Sequence, residues 1–290
     1  MNKQFSKIVT GAAMTAAILT STGCLATMEK SEMNLSKQEK AISLISSIET
    51  GDQTPVSYIN PEKYIQHNLA VGDGLAGFGA VLQALPEGSA RASVKRAFQD
   101  GEYVVLHTEY NFFGPKVGFD VFRFEEDLIV EHWDNLAEKA APNPSGRTQI
   151  DGPVEVKDLN KTAANKKLVA DFVESILIHG QMEKITDFIG TEEQDYLQHN
   201  IAVGDGLNAL GLALGALAEQ GMPMVYTQNH KILGQGNFVL SISEGQFLNQ
   251  HVAFYDLFRL HDGKIVEHWD TIENIPAEAE WKNGNGKFGF

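Results

Sequence analysis

Residues 64–75 read YIQHNLAVGDGL and residues 196–207 read YLQHNIAVGDGL, with ten of twelve positions identical. A second pair follows, FDVFRFEEDLIVEHWD at 119–134 and YDLFRLHDGKIVEHWD at 255–270, with nine of sixteen identical. The offsets are 132 and 136 residues, so the two copies are colinear apart from a few loop positions. A repeat of that length is a whole domain, since solenoid units are far shorter. Two domains of one kind, at residues 37–138 and 162–288, are therefore expected. Between them, residues 139–161 hold Pro142, Pro144, Gly146, Gly152 and Pro153 among polar residues, without apolar periodicity, and read as a linker.

Each copy has the same order of elements. Ile42, Ile45 and Ile48 in the first copy, and Leu168, Phe172, Ile176 and Leu177 in the second, recur at helical spacing. Asp73-Gly74 and Asp205-Gly206 precede apolar runs and predict a second helix in each copy, with the aspartate as N-cap. Residues 103–109 and 238–244 then read as strands, and Asp262-Gly263 is a two-residue hairpin turn. Helices followed by an antiparallel sheet predict an α+β fold.

In a strand, alternate side chains share a face. His132 and Asp134 therefore lie together, as do His268 and Asp270, while Glu131 with Trp133 and Glu267 with Trp269 take the opposite face. Counting back from the hairpin turn sets Leu257 opposite His268 and Tyr255 opposite Asp270. An imidazole beside a carboxylate among apolar groups can move protons near neutral pH, the chemistry that enolises a carbonyl compound. The same pair can also satisfy a half-buried polar patch. His67 and His199, each within a Gln-His-Asn triplet, are either catalytic or turn-stabilising. The candidate proton-transfer set is thus His67, His132 and Asp134 with His199, His268 and Asp270. No His-x-His or His-Glu-x-x-His spacing occurs, so no metal and no cofactor is expected.

The chain has 290 residues, 43% hydrophobic and 21% charged, which is a globular composition. With 23 basic against 38 acidic residues its net charge is −15, which excludes nucleic acid as a natural partner and repels anionic lipid. Residues 1–23 carry Lys3 and Lys7, then an apolar stretch and small residues, the layout of a signal peptide. Cys24 is the only cysteine and follows Gly23 as in a lipobox, although Ser21 stands where leucine is usual. The expectation is an exported protein of the bacterial envelope, held to the membrane only by a lipid on Cys24. An ordinary signal peptide with an incidental cysteine is the alternative.

The string Tyr-[Ile/Leu]-Gln-His-Asn, followed by Asp-[Val/Leu]-Phe-Arg and Ile-Val-Glu-His-Trp-Asp, resembles the SnoaL-like proteins of the nuclear transport factor 2-like superfamily. The tail at 275–288, with Asn-Gly-Asn-Gly-Lys-Phe, is similar as well. The resemblance implies a cone-shaped α+β barrel in each copy, with a curved antiparallel sheet over helices and a pocket for a small-molecule ligand. It implies an aldol-type cyclase or isomerase whose acid-base aspartate would fall on Asp134 and Asp270, or on Glu273 with Ala137 as its counterpart. A ligand- or partner-binding envelope lipoprotein without chemistry is the other reading. Members of the family pair through their sheets, so two fused copies imply an intrachain pseudo-dimer. His107 has Ile242 as counterpart, so the two pockets need not do the same job.

Overall fold

A computed structural model describes residues 35–85 and 88–290; residues 1–23, read as a signal peptide, and Cys24 lie outside the described residues. The first copy runs α1 (Lys37–Thr50), β1 (Ile65–Gln66), α2 (Gly74–Ala84), β2 (Arg91–Asp100), β3 (Tyr103–Asn111), β4 (Pro115–Glu125) and β5 (Leu128–Glu138). The second runs α3 (Thr162–Phe172, continued by a wider turn Val173–Ile178), α4 (Ile185–Phe188), β6 (Leu197–Gln198), α5 (Gly206–Glu219), β7 (Val225–Gln235), β8 (Phe238–Phe247), β9 (Gln250–His261) and β10 (Lys264–Asn274). Strand order is β1-β5-β4-β3-β2 in one sheet and β6-β10-β9-β8-β7 in the other. Both copies have the expected α+β cone. One refinement is that the sheets are mixed, because the two-residue strands β1 and β6 pair parallel to β5 and β10. They end at the glutamine of each Gln-His-Asn triplet and are too short for a sequence pattern to mark as strands.

The α1 helix forms because Ala41, Leu44 and Ile45 recur at helical spacing, and they are buried against the sheet. In the second copy Val169, Phe172, Val173 and Ile176 do the same. The Asp262-Gly263 turn has φ of 46° and 74°, as a two-residue hairpin turn requires. Beyond it the expected register fails. A bulge between Ile265 and Glu267 inserts Val266 as an extra residue, so His268 pairs with Phe258 and Asp270 with Asp256, rather than with Leu257 and Tyr255. The first copy bulges at the equivalent Val130, between Ile129 and Glu131. One extra residue shifts every later cross-strand partner onto the other face.

The outer faces of the two sheets pack on each other. Phe119, Val121 and Trp133 of the first copy share one buried cluster with Leu240, Ile242, Tyr255, Leu257 and Trp269 of the second. Full burial of side chains of this size contributes about 1.5–3 kcal/mol each, so the contact is a core that makes the two copies one folded unit. At its middle Asn135 Nδ2 donates to the Thr271 carbonyl (2.8 Å) and hydroxyl (3.0 Å).

The stretch read as a linker is an ordered arm. Asn143 Nδ2 donates to the Val203 carbonyl at 2.9 Å, and Trp269 Nε1 donates to the Asp151 carbonyl at 2.9 Å. Arg96, 2% exposed, clamps the arm by donating to the Pro153 carbonyl (2.7 Å) and the Ile150 carbonyl (3.0 Å). The C-terminal segment reciprocates on the first copy, where Asn283 Nδ2 donates to the Asn68 (2.8 Å) and Val71 (2.9 Å) carbonyls. Each copy thus sends its C-terminal extension onto the other. Asp73 and Asp205 stand at the N-cap positions but make no side-chain capping bond. Their Oδ1 atoms instead accept the backbone N–H of Gln66 and Gln198, both at 2.9 Å, and so tie the short strands to the helices.

Candidate functional site

The inner face of the second sheet lines a cavity of about 540 Å³, within the usual range for small-molecule sites. Its walls come from α3 (Phe172, Ile176), α5 (Leu210, Leu214, Leu217) and the sheet (Phe247, Phe258), with Met182 and Met224. Its polar floor is Asp256, His268 and Asp270, with Gln198, Asn200 and Tyr226 around them. Among the described residues that line it there is no lysine or arginine. The bulge at Val266 is what turns His268 and Asp270 onto the face shared with Asp256.

Hydrogen bonds fix the tautomer of His268. Gln198 Oε1 accepts the backbone N–H groups of His199 (3.0 Å) and Asn200 (3.1 Å), so this atom is the amide oxygen. His268 Nδ1 lies 2.9 Å from it and must carry hydrogen. Its Nε2 faces Asp256 Oδ1 at 3.0 Å, and this pair shares one further proton. Tyr226 Oη donates to Asp256 at 3.2 Å, and Asn200 Nδ2 donates to Asp270 Oδ2 at 2.6 Å. Burial pushes the Asp270 carboxyl above the usual range; positive charge on His268 opposes this and Asp256 adds to it. For His268 burial acts downward, but the Asp256 hydrogen bond and the charges of Asp270 and Asp256 raise it overall. Burial and the same two carboxylates hold Tyr226 far above its ordinary value, so it stays a donor.

The first copy builds a related floor. His132 reaches Gln66 Oε1 (3.1 Å) and Asp120 Oδ1 (3.3 Å), and Asn68 Nδ2 donates to Asp134 Oδ2 (2.6 Å). The tyrosine on its aspartate comes from another strand: Tyr110 Oη donates to Asp120 at 2.6 Å. Tyr110 pairs with Ala92 across the sheet, where the second copy has Gly245 facing Tyr226, so the ring has changed strands. A larger difference is a cation. Lys287, from the C-terminal arm, puts its ammonium 3.7 Å from Asp134 Oδ1 and 2.6 Å from Glu273. Among the described residues Asp270 has no lysine or arginine partner, because the arm's Arg147 pairs with Asp205 at 3.0 Å.

His67 and His199 do not join the candidate set. Their rings lie on the opposite face of the sheets, stacked on Trp133 and Trp269, both at 4.6 Å. Their Nε2 atoms meet Glu131 and Glu267 at 2.9 Å, and Arg123 and Arg259 donate to the same carboxylates at 2.6 Å. Burial alone would raise Glu131, but the bonds from His67 and Arg123 hold it below the usual carboxylate range. Their Nδ1 atoms meet the arms, at the Gly286 carbonyl and the Thr148 carbonyl (2.7 Å each). These histidines tie the arms to the outer faces of the sheets, away from the other members of the candidate proton-transfer set. Glu273 likewise points at the first copy, accepting the Leu136 N–H at 3.2 Å, and not into the cavity. His107 does not line the cavity; it stacks on Phe119 (4.2 Å) beside Arg96, and burial lowers its pKa well below the ordinary value.

Asp120 and Asp256 are absent from the candidate set, although the Asp-x-Phe-Arg string of both copies contains them; the bulge, which no local pattern marks, sets them beside His132 and His268. The Asp256, His268 and Asp270 ligand atoms lie within 4.8 Å of one another, a donor set that could take a divalent cation. The expectation of no metal came from sequence spacing, and spacing does not register ligands supplied by two paired strands.

No protein-family model and no curated protein matches the chain. Solved structures similar to it include TsrD from Streptomyces laurentii (19% identity, 34% of this chain and 86% of that chain, TM-score 0.30). IdmH from Streptomyces antibioticus is another (18% identity, 35% and 92%, TM-score 0.31). A third is a protein of ketosteroid isomerase-like fold from Catenulispora acidiphila, in complex with trimethylamine (16% identity, 33% and 83%, TM-score 0.29). The fold of each copy, helices packed on a five-stranded mixed sheet, rests on the strand order and helix placement described above.

Proposed function

We propose that the second copy binds a small, largely apolar carbonyl compound and performs acid-base chemistry on it. The observation that carries this reading is the Asp256–His268–Asp270 floor beneath an apolar cavity of about 540 Å³. Asp270 is the base: burial raises its basicity, which narrows the gap to a proton α to a carbonyl. As it takes that proton, the C–H electron pair becomes the C=C bond of an enol. The carbonyl oxygen takes the proton shared by His268 and Asp256. In a β,γ-unsaturated ketone, return of the proton from Asp270 to the γ carbon as the enol O–H goes back to the His268–Asp256 pair completes an isomerisation; attack of the enol carbon on a second carbonyl, whose oxygen takes the proton from Asp270 as the enol O–H returns to the pair, completes an aldol closure. The first copy, with Lys287 against Asp134, serves as scaffold.

The test is deuterium exchange at the α positions of a panel of cyclic ketones in D₂O, followed by NMR. Exchange that His268→Ala and Asp270→Asn abolish is the expected result. Exchange no faster than buffer across the panel, or unchanged in His268→Ala, overturns it. The opening residues further support export and acylation of Cys24, which mass spectrometry of the envelope protein tests; an unmodified Cys24 would refute the anchor.

A further inference from the structure

The two-residue strand β6 is the edge of the second sheet, and the backbone groups of Gln198 find their partners outside that sheet. Its N–H goes to Asp205 Oδ1 at 2.9 Å, and its carbonyl accepts Asn143 Nδ2 at 2.5 Å. The same Nδ2 donates to the Val203 carbonyl at 2.9 Å, while Asn143 Oδ1 accepts the N–H groups of Ser145 and Arg147 at 3.0 Å each. One amide, 5% exposed, therefore fixes its own turn with its oxygen and both ends of the loop 198–203 with its nitrogen. Ser145 and Arg147 extend the bracket to Asp205, the hydroxyl accepting its N–H at 2.9 Å and the guanidinium meeting its carboxylate at 3.0 Å.

Gln198, Asn200, Ala202 and Val203 of this loop line the cavity. Gln198 Oε1 accepts from His268 Nδ1, and Asn200 Nδ2 donates to Asp270. Both side chains that orient the floor thus sit on a loop held from behind by the arm of the other copy. A site is fixed only as well as the groups that support it. We propose that Asn143 is a positioning residue for the acid-base floor, acting through the loop 198–203 on His268 and Asp270, so that the arm of the first copy completes the site of the second. The first copy contains the matched control. Asn283 Nδ2 donates to the Asn68 (2.8 Å) and Val71 (2.9 Å) carbonyls, and its Oδ1 accepts the Asn285 N–H at 3.1 Å.

The experiment compares Asn143→Asp with Asn283→Asp. Aspartate keeps the oxygen that holds the turn and removes only the donor to the loop. The readout is the His268 Nδ1–H proton in NMR, identified by its loss in His268→Ala. Its exchange with solvent is expected to be about tenfold faster or more in Asn143→Asp and unchanged in Asn283→Asp, with both variants melting below the parent. Ketone exchange should fall about tenfold in Asn143→Asp alone. Where the aspartate variant does not fold, Asn143→Ala replaces it. A His268 proton unaltered in the Asn143 variant, or altered equally in Asn283→Asp, overturns the inference, as does a parent with no such proton. The inference rests on the acid-base reading only for its kinetic arm: a parent inert on every ketone overturns that reading, and the imidazole proton still decides this one.

Discussion

The two copies share ten of twelve residues in one motif and nine of sixteen in the other, yet their acidic floors are electrostatically different. Asp134 has the ammonium of Lys287 at 3.7 Å, whereas Asp270, among the described residues, is surrounded by His268, Asn200 and a second carboxylate without a lysine or arginine. The cause is four residues of arm sequence. Arg147 follows Ser145-Gly146 and turns to Asp205, while Lys287 follows Asn285-Gly286 and reaches between the copies. A buried carboxylate with a fixed cation is a structural ion pair, and one left without it is available for proton transfer. Both halves keep the motif, and the arms give the two floors different charges.

Four measurements would break or sharpen that division. The largest effect is expected on exchange activity: Asp270→Asn should lose roughly a hundredfold or more, while Asp134→Asn keeps the parent rate. Equal loss in both would mean that both floors are active. Next, Glu267→Ala strands His199 and Arg259 and should cost about 3 kcal/mol by urea denaturation. Glu131→Ala should cost less, because its carboxylate is less deeply buried. Lys287→Met removes the cation shared by Asp134 and Glu273 and should cost about 2 kcal/mol at neutral pH. That cost should shrink once acid protonates both carboxylates.

The smallest effect is a slope of stability with pH. A raised histidine pKa stabilises the fold fully below its ordinary value of 6.5 and loses that contribution as pH climbs through the folded-state value. A raised aspartate pKa costs nothing well below 3.8, and its cost is complete above the folded-state value. Both slopes have the same sign, so each lowers thermal stability as pH rises, the aspartate's from 3.8 upward and the histidine's from 6.5 upward. Asp270→Asn should be more stable than the parent at neutral pH and show a flatter profile. A less stable Asp270→Asn would mean that the carboxylate is held favourably in its charged form.

The sequence by itself determined the duplication, the α+β order of helices before strands, the Asp-Gly hairpin and the alternation that sets His268 and Asp270 on one face. Those are properties of spacing, and spacing is local. It also singled out the Gln-His-Asn triplets but left their role open between catalysis and turn stabilisation: His67 and His199 carry a glutamate and a tryptophan on the outer face. Only the tertiary structure decided that face, because one bulged valine in each copy resets the cross-strand partners and no period marks it in advance. Only the tertiary structure brought Asp256 beside Asp270 and joined the two outer faces into one core. It alone sent Lys287 to Asp134 across 153 residues of chain. A charge is placed by packing, and packing between distant segments leaves no local trace in the order of residues.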